Sequence, residues 1–206
     1  MGLSRLYRRL LYGRPIVVVS GLPRSGTSMA MKMLEAGGLS TITDGIRTAD
    51  EDNPKGYFEL ERIKDLATET DKSYLKEARG KVVKIISFLL RDLPESNNYQ
   101  VIFMRRDIEE VLASQAKMLD RRGEDDESED ERMTELYKDH LWKVNYLVRR
   151  SAHLDVLEVE YRSALEDPEG QAARIRSFLG IDLDVQRMVE VVDPELYRNR
   201  AASTSS

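Results

Sequence analysis

Residues 17 to 34, VVVSGLPRSGTSMAMKML, pass from a run of valines into a Gly-Leu-Pro-Arg-Ser-Gly turn and out again into a helix-like pattern. A short β-branched run reads as a buried strand, and glycines flanking a proline bring the chain sharply round into a helix N-terminus. Such a turn leaves successive backbone N–H groups facing one concavity, where the helix dipole adds positive potential, so the segment is expected to hold an anion. The interval from Gly21 to Gly26 is that of a phosphate-cradling loop, yet Thr27 stands where a nucleoside-triphosphate loop carries lysine. Arg24 adds a delocalised charge, and Ser25, Thr27 and Ser28 add hydroxyl donors.

The rest of the chain repeats this strand-then-helix order. Strands are predicted at Ile16–Ser20, Val82–Ile86, Val101–Met104 and Val156–Val159, and helices at Thr27–Ala36, Ile108–Leu119 and Gly170–Leu179, with Pro168 suited to the start of the last. That order predicts an α/β fold of three layers, with helices on both faces of a short parallel sheet and the ligand outside the carboxyl ends of the strands. Residues 140 to 150, HLWKVNYLVRR, read as a further helix with Leu141, Val144, Leu147 and Val148 on one face, and with His140 and Trp142 as packing residues. At 206 residues the chain is read as a single domain, 1–206, with a basic helix over 1–14, a mobile acidic loop over 123–132 and a disordered tail over 201–206.

The composition narrows the chemistry. There is no cysteine, and the two histidines, His140 and His153, form no metal spacing, so no metal is expected. A net charge of −5 argues against nucleic acid as a partner. No apolar run reaches the roughly 18 residues of a membrane span, and no secretory signal is recognisable, so a cytoplasmic location is expected. The basic start, with Arg5, Arg8, Arg9 and Arg14, reads as a solvated helix with at most weak contact to a membrane surface.

A second anchor lies in the third strand. Nucleotide hydrolysis places a metal-holding aspartate at the end of such a strand, whereas VIFMRRD ends in Arg105 and Arg106, which attract a second phosphate instead. Ser114 follows Arg106 by eight residues, two turns along the next helix. PRSGTS after a strand, then arginine at a strand end and serine eight residues on, resembles the sulfotransferases that use 3′-phosphoadenosine 5′-phosphosulfate (PAPS). NPKGYFE, residues 53 to 59, is similar to a segment of bacterial members, and residues 156 to 181 resemble the family's tyrosine-containing segment and terminal Phe-Leu-Gly. The resemblance implies a P-loop nucleoside-triphosphate-hydrolase-like sulfotransferase fold and PAPS as co-substrate, with PAP as product. Arg24, Ser25, Gly26, Thr27 and Ser28 would then bind the 5′-phosphosulfate, Arg106 and Ser114 the 3′-phosphate, and Tyr161 would lie near the adenine.

Three departures from the family pattern carry consequences. Arg24 replaces the lysine of many cytosolic members, as in bacterial, Golgi and membrane-associated relatives. Around Lys84 the sequence is VKIIS, so Ile86 stands where cytosolic members have a histidine base. The glycine- and lysine-rich C-terminal motif is absent, leaving Arg198 or Arg200 for the 3′-phosphate. The resemblance then implies transfer of a sulfuryl group to a hydroxyl or amine of a small-molecule, glycan or lipid acceptor. Arg24 and Lys84 would stabilise the departing phosphate and Glu59 would accept the proton, ahead of Asp50, Glu51 and Asp52. The alternatives are a P-loop kinase or hydrolase with Glu160 as a displaced metal ligand, and an inactive nucleotide-binding module.

Overall fold

A computed structural model describes residues 3–44, 58, 60–122 and 130–193. Four strands, β1 (Ile16–Gly21), β2 (Val82–Lys84), β3 (Tyr99–Arg105) and β4 (Leu154–Glu160), form one parallel sheet in the order β2-β1-β3-β4. The chain runs outward from β1 to β2 on one side and returns to the other side at β3, so the strand order reverses between β1 and β3. Their carboxyl ends therefore frame the crevice where open α/β sheets bind ligands.

Alternation along each strand divides the core into two layers, as the period of two demands. Val17, Val19, Ile102, Met104 and Val159 face helices α2 (Thr27–Ala36), α5 (Tyr161–Glu166), α6 (Pro168–Leu179) and α7 (Val185–Glu190). Ile16, Val18, Val83, Val101 and Phe103 face short 3₁₀ turns at Glu61–Asp65, Ser73–Ala78 and Ser87–Asp92, and the long helix α4 (Asp130–Arg150). A third cluster joins Leu22 of the first turn to Val111 and Leu112 of helix α3 (Ile108–Arg122), to Tyr137 of α4, and to Phe88. Before the sheet, helix α1 spans Leu3–Tyr12.

The expected helix Thr27–Ala36 occupies those residues, and the helix expected from Gly170 begins at Pro168, capped by Asp167, whose Oδ1 accepts from the Gly170 N–H at 3.0 Å. Other boundaries move. β2 ends at Lys84, two residues before the expected Ile86, because the chain turns there into the 3₁₀ segment and leaves Ile86 43% exposed. The α3 helix runs past Leu119 to Arg122. Asp130 and Glu131, expected in the acidic loop, belong to the first turn of α4, where the helix dipole favours acidic side chains; residues 123–129 and the tail 201–206 lie outside the described residues. On α4, Val144 is buried and Leu141, Leu147 and Val148 pack beside it, but Trp142 is 65% exposed and stacks on Tyr146 instead of entering the core. The segment after β4 is α5, and α7 follows α6 near the end of the described residues; neither is among the helices expected from the sequence.

Candidate functional site

The end of β1 is built for close approach. Gly21 has φ +155, and a Cβ there would stand 2.7 Å from the Met104 carbonyl oxygen on β3. Gly26, the N-cap of α2, has φ +96, and a Cβ would overlap the Tyr161 ring. Between them, Ser25 N–H closes a turn onto Leu22 O at 3.2 Å, and Arg24 holds a left-handed φ of +66, which costs a non-glycine residue about 1 kcal/mol. Ala30 N–H is the first in α2 to bond back within the turn, to Gly26 O at 3.2 Å. The N–H groups of Thr27, Ser28 and Met29 belong to the first turn, which has no intrahelical acceptors, and Gly26 brings no capping side chain.

The strained Arg24 conformation is held from the neighbouring strand. Arg106, just past the end of β3, donates from Nη1 to Arg24 O at 3.1 Å and from Nε to Glu110 Oε2 at 3.0 Å. Its guanidinium also lies over the Tyr161 ring, 4.7 Å from the centroid. The Arg24 side chain runs to α3, where Nε donates to Ser114 Oγ at 3.0 Å. Glu110 is buried and accepts a further bond from Arg162 Nη2 at 3.2 Å. Two guanidinium groups share the one Glu110 carboxylate, and with Arg24 beside them the cluster is positive, next to the positive end of α2.

The residues singled out from sequence thus converge. Arg24, Ser25, Gly26, Thr27, Ser28, Arg106, Ser114 and Tyr161 gather at the crevice between β1 and β3, and the two expected subsites are joined by the Arg24–Ser114 and Arg106–Arg24 bonds. Ser114 is buried at 6% exposure, not the plain surface position that helix spacing alone suggests. Lys84 closes β2 at the same sheet edge, opposite Val19 of β1. Tyr161 is largely buried, its ring edge against Gly26. Glu59, Asp50, Glu51, Asp52, Arg198 and Arg200 lie outside the described residues.

Sequence reasoning missed Glu110 and Arg162. Glu110 carried a signal, its four-residue spacing from Arg106; Arg162 carried none, since only the β3–β4 pairing brings it near. His140 does pack, stacked on Phe88 at 3.7 Å, but its Nε2 also lies 2.8 Å from Ser87 Oγ, just beyond Ile86. Burial pushes the His140 pKa down, with Arg91 adding to the effect, so the ring is neutral near pH 7.

A bound anion fits these residues on one structural ground. Ser25 Oγ is buried without a hydrogen-bond partner among the described residues, and it packs against Gly21, where a Cβ would overlap it. An orphaned buried hydroxyl costs about 1–3 kcal/mol, which an oxyanion would recover.

A family model described as a sulfotransferase domain matches residues 14–200. Among solved structures, the chain is similar to a sulfotransferase domain from the curacin biosynthetic pathway, at 13% identity over 87% of this chain and 78% of the other, with a TM-score of 0.51. It is also similar to a sulfotransferase from Alicyclobacillus acidocaldarius, at 15% identity over 90% of this chain and 99% of the other, with a TM-score of 0.49. None of the curated proteins matches it.

Proposed function

The chain belongs to the sulfotransferase domain family, and from that premise we propose that it transfers a sulfuryl group from PAPS to a hydroxyl or amine, releasing PAP. The observation that carries this reading is the pairing of two anion-binding features across adjacent strands, the Gly21–Gly26 turn after β1 and Arg106 with Ser114 after β3. A nucleotide with two separated anionic groups suits that pair. A metal-bound triphosphate suits it less, because Arg106 stands where an aspartate would hold the metal.

In the proposed reaction the sulfur–oxygen bond to the 5′-phosphate breaks as the acceptor oxygen or nitrogen bonds to sulfur, and the acceptor's proton leaves to a base. The loop N–H groups, Ser25, Thr27 and Ser28 hold the 5′-phosphosulfate, and Arg24 and Lys84 stabilise the charge that grows on the departing phosphate. Arg106 and Ser114 take the 3′-phosphate, with Arg198 or Arg200 assisting, and Tyr161 borders the adenine. Glu59 is the proposed base. His140, neutral and bonded to Ser87 one residue beyond Ile86, is a second reading for the proton acceptor. Residues 1–206 are read as one cytoplasmic domain of bacterial type acting on a small-molecule, glycan or lipid acceptor.

Thermal melting with PAP or with ATP and magnesium tests the donor. PAP at 100 times its dissociation constant is expected to add about 2.7 kcal/mol of stability, while ATP with magnesium adds none. Equal stabilisation by both would overturn the PAPS reading. Turnover of radiolabelled PAPS with an acceptor panel separates an enzyme from an inactive binding module.

A further inference from the structure

Helix α1 is attached to the domain by the wrong face for a core helix. Its anchor is Arg8, which donates from Nε to Asn98 Oδ1 at 3.0 Å and from Nη2 to the carbonyls of Glu95 at 2.7 Å and Asn97 at 3.0 Å. Asn98 answers from Nδ2 to Arg8 O at 3.0 Å. Tyr7, Leu10 and Leu11, spaced three and four apart as one helical stripe, point away from the domain and are 63%, 79% and 56% exposed. In the sequence, leucines at positions 3 and 6 continue that spacing. The polar side meets protein and the apolar side meets solvent, the reverse of a helix that belongs to the core.

Charge identifies what covers that stripe. The first 15 residues hold four arginines and no acidic residue, although the chain as a whole carries −5. Exposed Arg9 and Arg14 line a cavity of ≈600 Å³ beside the helix, at the amino ends of the strands and opposite the anion-binding turn, with Asn98, Gln100, His153 and the acidic Asp155 and Asp182 among its other walls. A helix with an apolar stripe and a basic flank binds in the plane of an anionic membrane surface, its leucines among the acyl chains and its arginines at the headgroups. A second exposed apolar group, Leu136, Trp142 and Tyr146 on α4, is interspersed with the ion pairs Lys138–Glu135 and Lys143–Asp139, whose charges cancel, and so lacks the uniformly basic flank of α1.

We infer that α1 docks the protein on anionic lipid bilayers through Tyr7, Leu10 and Leu11, with Arg9 and Arg14 contacting headgroups. The docked face is the one remote from the crevice between β1 and β3, so that crevice opens toward the aqueous phase.

Co-sedimentation of the full chain with vesicles tests this. Binding is expected to phosphatidylcholine vesicles containing phosphatidylglycerol, and to be at least about tenfold weaker with phosphatidylcholine alone or at high salt. Leu10→Glu with Leu11→Glu is expected to lower the partition by at least about tenfold while melting near the parent, because both side chains are exposed. Arg9→Gln with Arg14→Gln is expected to weaken binding to the anionic vesicles only, and Trp142→Ser to leave it unchanged. No binding to anionic vesicles, equal partition of the leucine variant, or loss of binding in Trp142→Ser would each overturn the inference. So would a dimer in light scattering that the leucine variant converts to monomer without any vesicle binding, since the stripe would then belong to a second copy.

Discussion

Replacing Glu110 by glutamine removes the carboxylate that holds Arg106 in place. The Arg106 and Glu110 side chains are 8% and 3% exposed, with Nε to Oε2 at 3.0 Å, so water screens the pair little. Breaking a buried ion pair by removing one partner typically costs about 3–5 kcal/mol, because the remaining charge stays buried. Glutamine keeps an acceptor oxygen, which places this change near the lower end, about 3 kcal/mol. The second bond, from Arg162, adds less than about 1 kcal/mol, since that side chain is 47% exposed. A chain of this size loses about 2–4 °C of Tm per kcal/mol, so Glu110→Gln is expected to melt about 6–16 °C below the parent. Urea unfolding followed by circular dichroism gives the free energy directly. PAP should bind the variant no more weakly, since losing a nearby negative charge favours a phosphate at Arg106. Arg106→Met combined with Glu110→Leu should recover most of the lost stability, as apolar pairs of similar volume do. A Glu110→Gln protein within about 1 kcal/mol of the parent, or a double variant no better than the single one, would refute the view that Arg106 is held by this buried pair.

Arg106→Ala should weaken PAP by about 10- to 150-fold through lost charge-assisted bonds. It should weaken adenosine 5′-phosphosulfate too, but less, since Arg106 also fixes the Arg24 carbonyl; equal losses in calorimetric titration would confine Arg106 to supporting the loop. Glu59→Gln should leave PAP affinity within a few-fold and lower turnover by about 10²–10⁴. Near-parent turnover in a folded variant would move the search to His140, Asp50, Glu51 and Asp52. Burial holds the pKa of both His140 and His153 below the ordinary 6.5, so the folded state resists their protonation. Their stabilising contribution is complete above about pH 6.5 and is lost as pH falls through that value toward the folded pKa, where the unfolded chain binds more protons. The parent's Tm should therefore drop from about pH 7 to about pH 5 more steeply than that of a His140→Gln, His153→Gln variant, and parallel curves would count against the assignment.

The sequence by itself determined the strands, the glycine turn and the spacing of the residues proposed to bind the anion, because each is a local consequence of residue type. Valines and isoleucines stiffen four short runs into strands, glycine at 21 and 26 tolerates the close contacts with Met104 and Tyr161, and Asp167 before Pro168 favours the start of a helix. Arg106 and Ser114 were legible because one helix fixes their separation. Only the tertiary structure decided the rest. The return of the chain from β2 to β3 across β1 sets Arg106 against the Arg24 carbonyl, and Arg24 against Ser114, over 82 and 90 residues of sequence. The β3–β4 pairing brings Arg162 to Glu110, and α4 brings His140 to Ser87. The end of β2 at Lys84 followed from the turn of the chain into the 3₁₀ segment Ser87–Asp92, although β1 beside it runs on to Gly21. The α1 helix shows the limit most plainly: its apolar spacing is written in the sequence, but which of its faces meets the protein was settled by three bonds from Arg8 to the Glu95–Asn98 turn. Local patterns fix conformation, whereas the partner of a face depends on contacts between residues far apart in the chain.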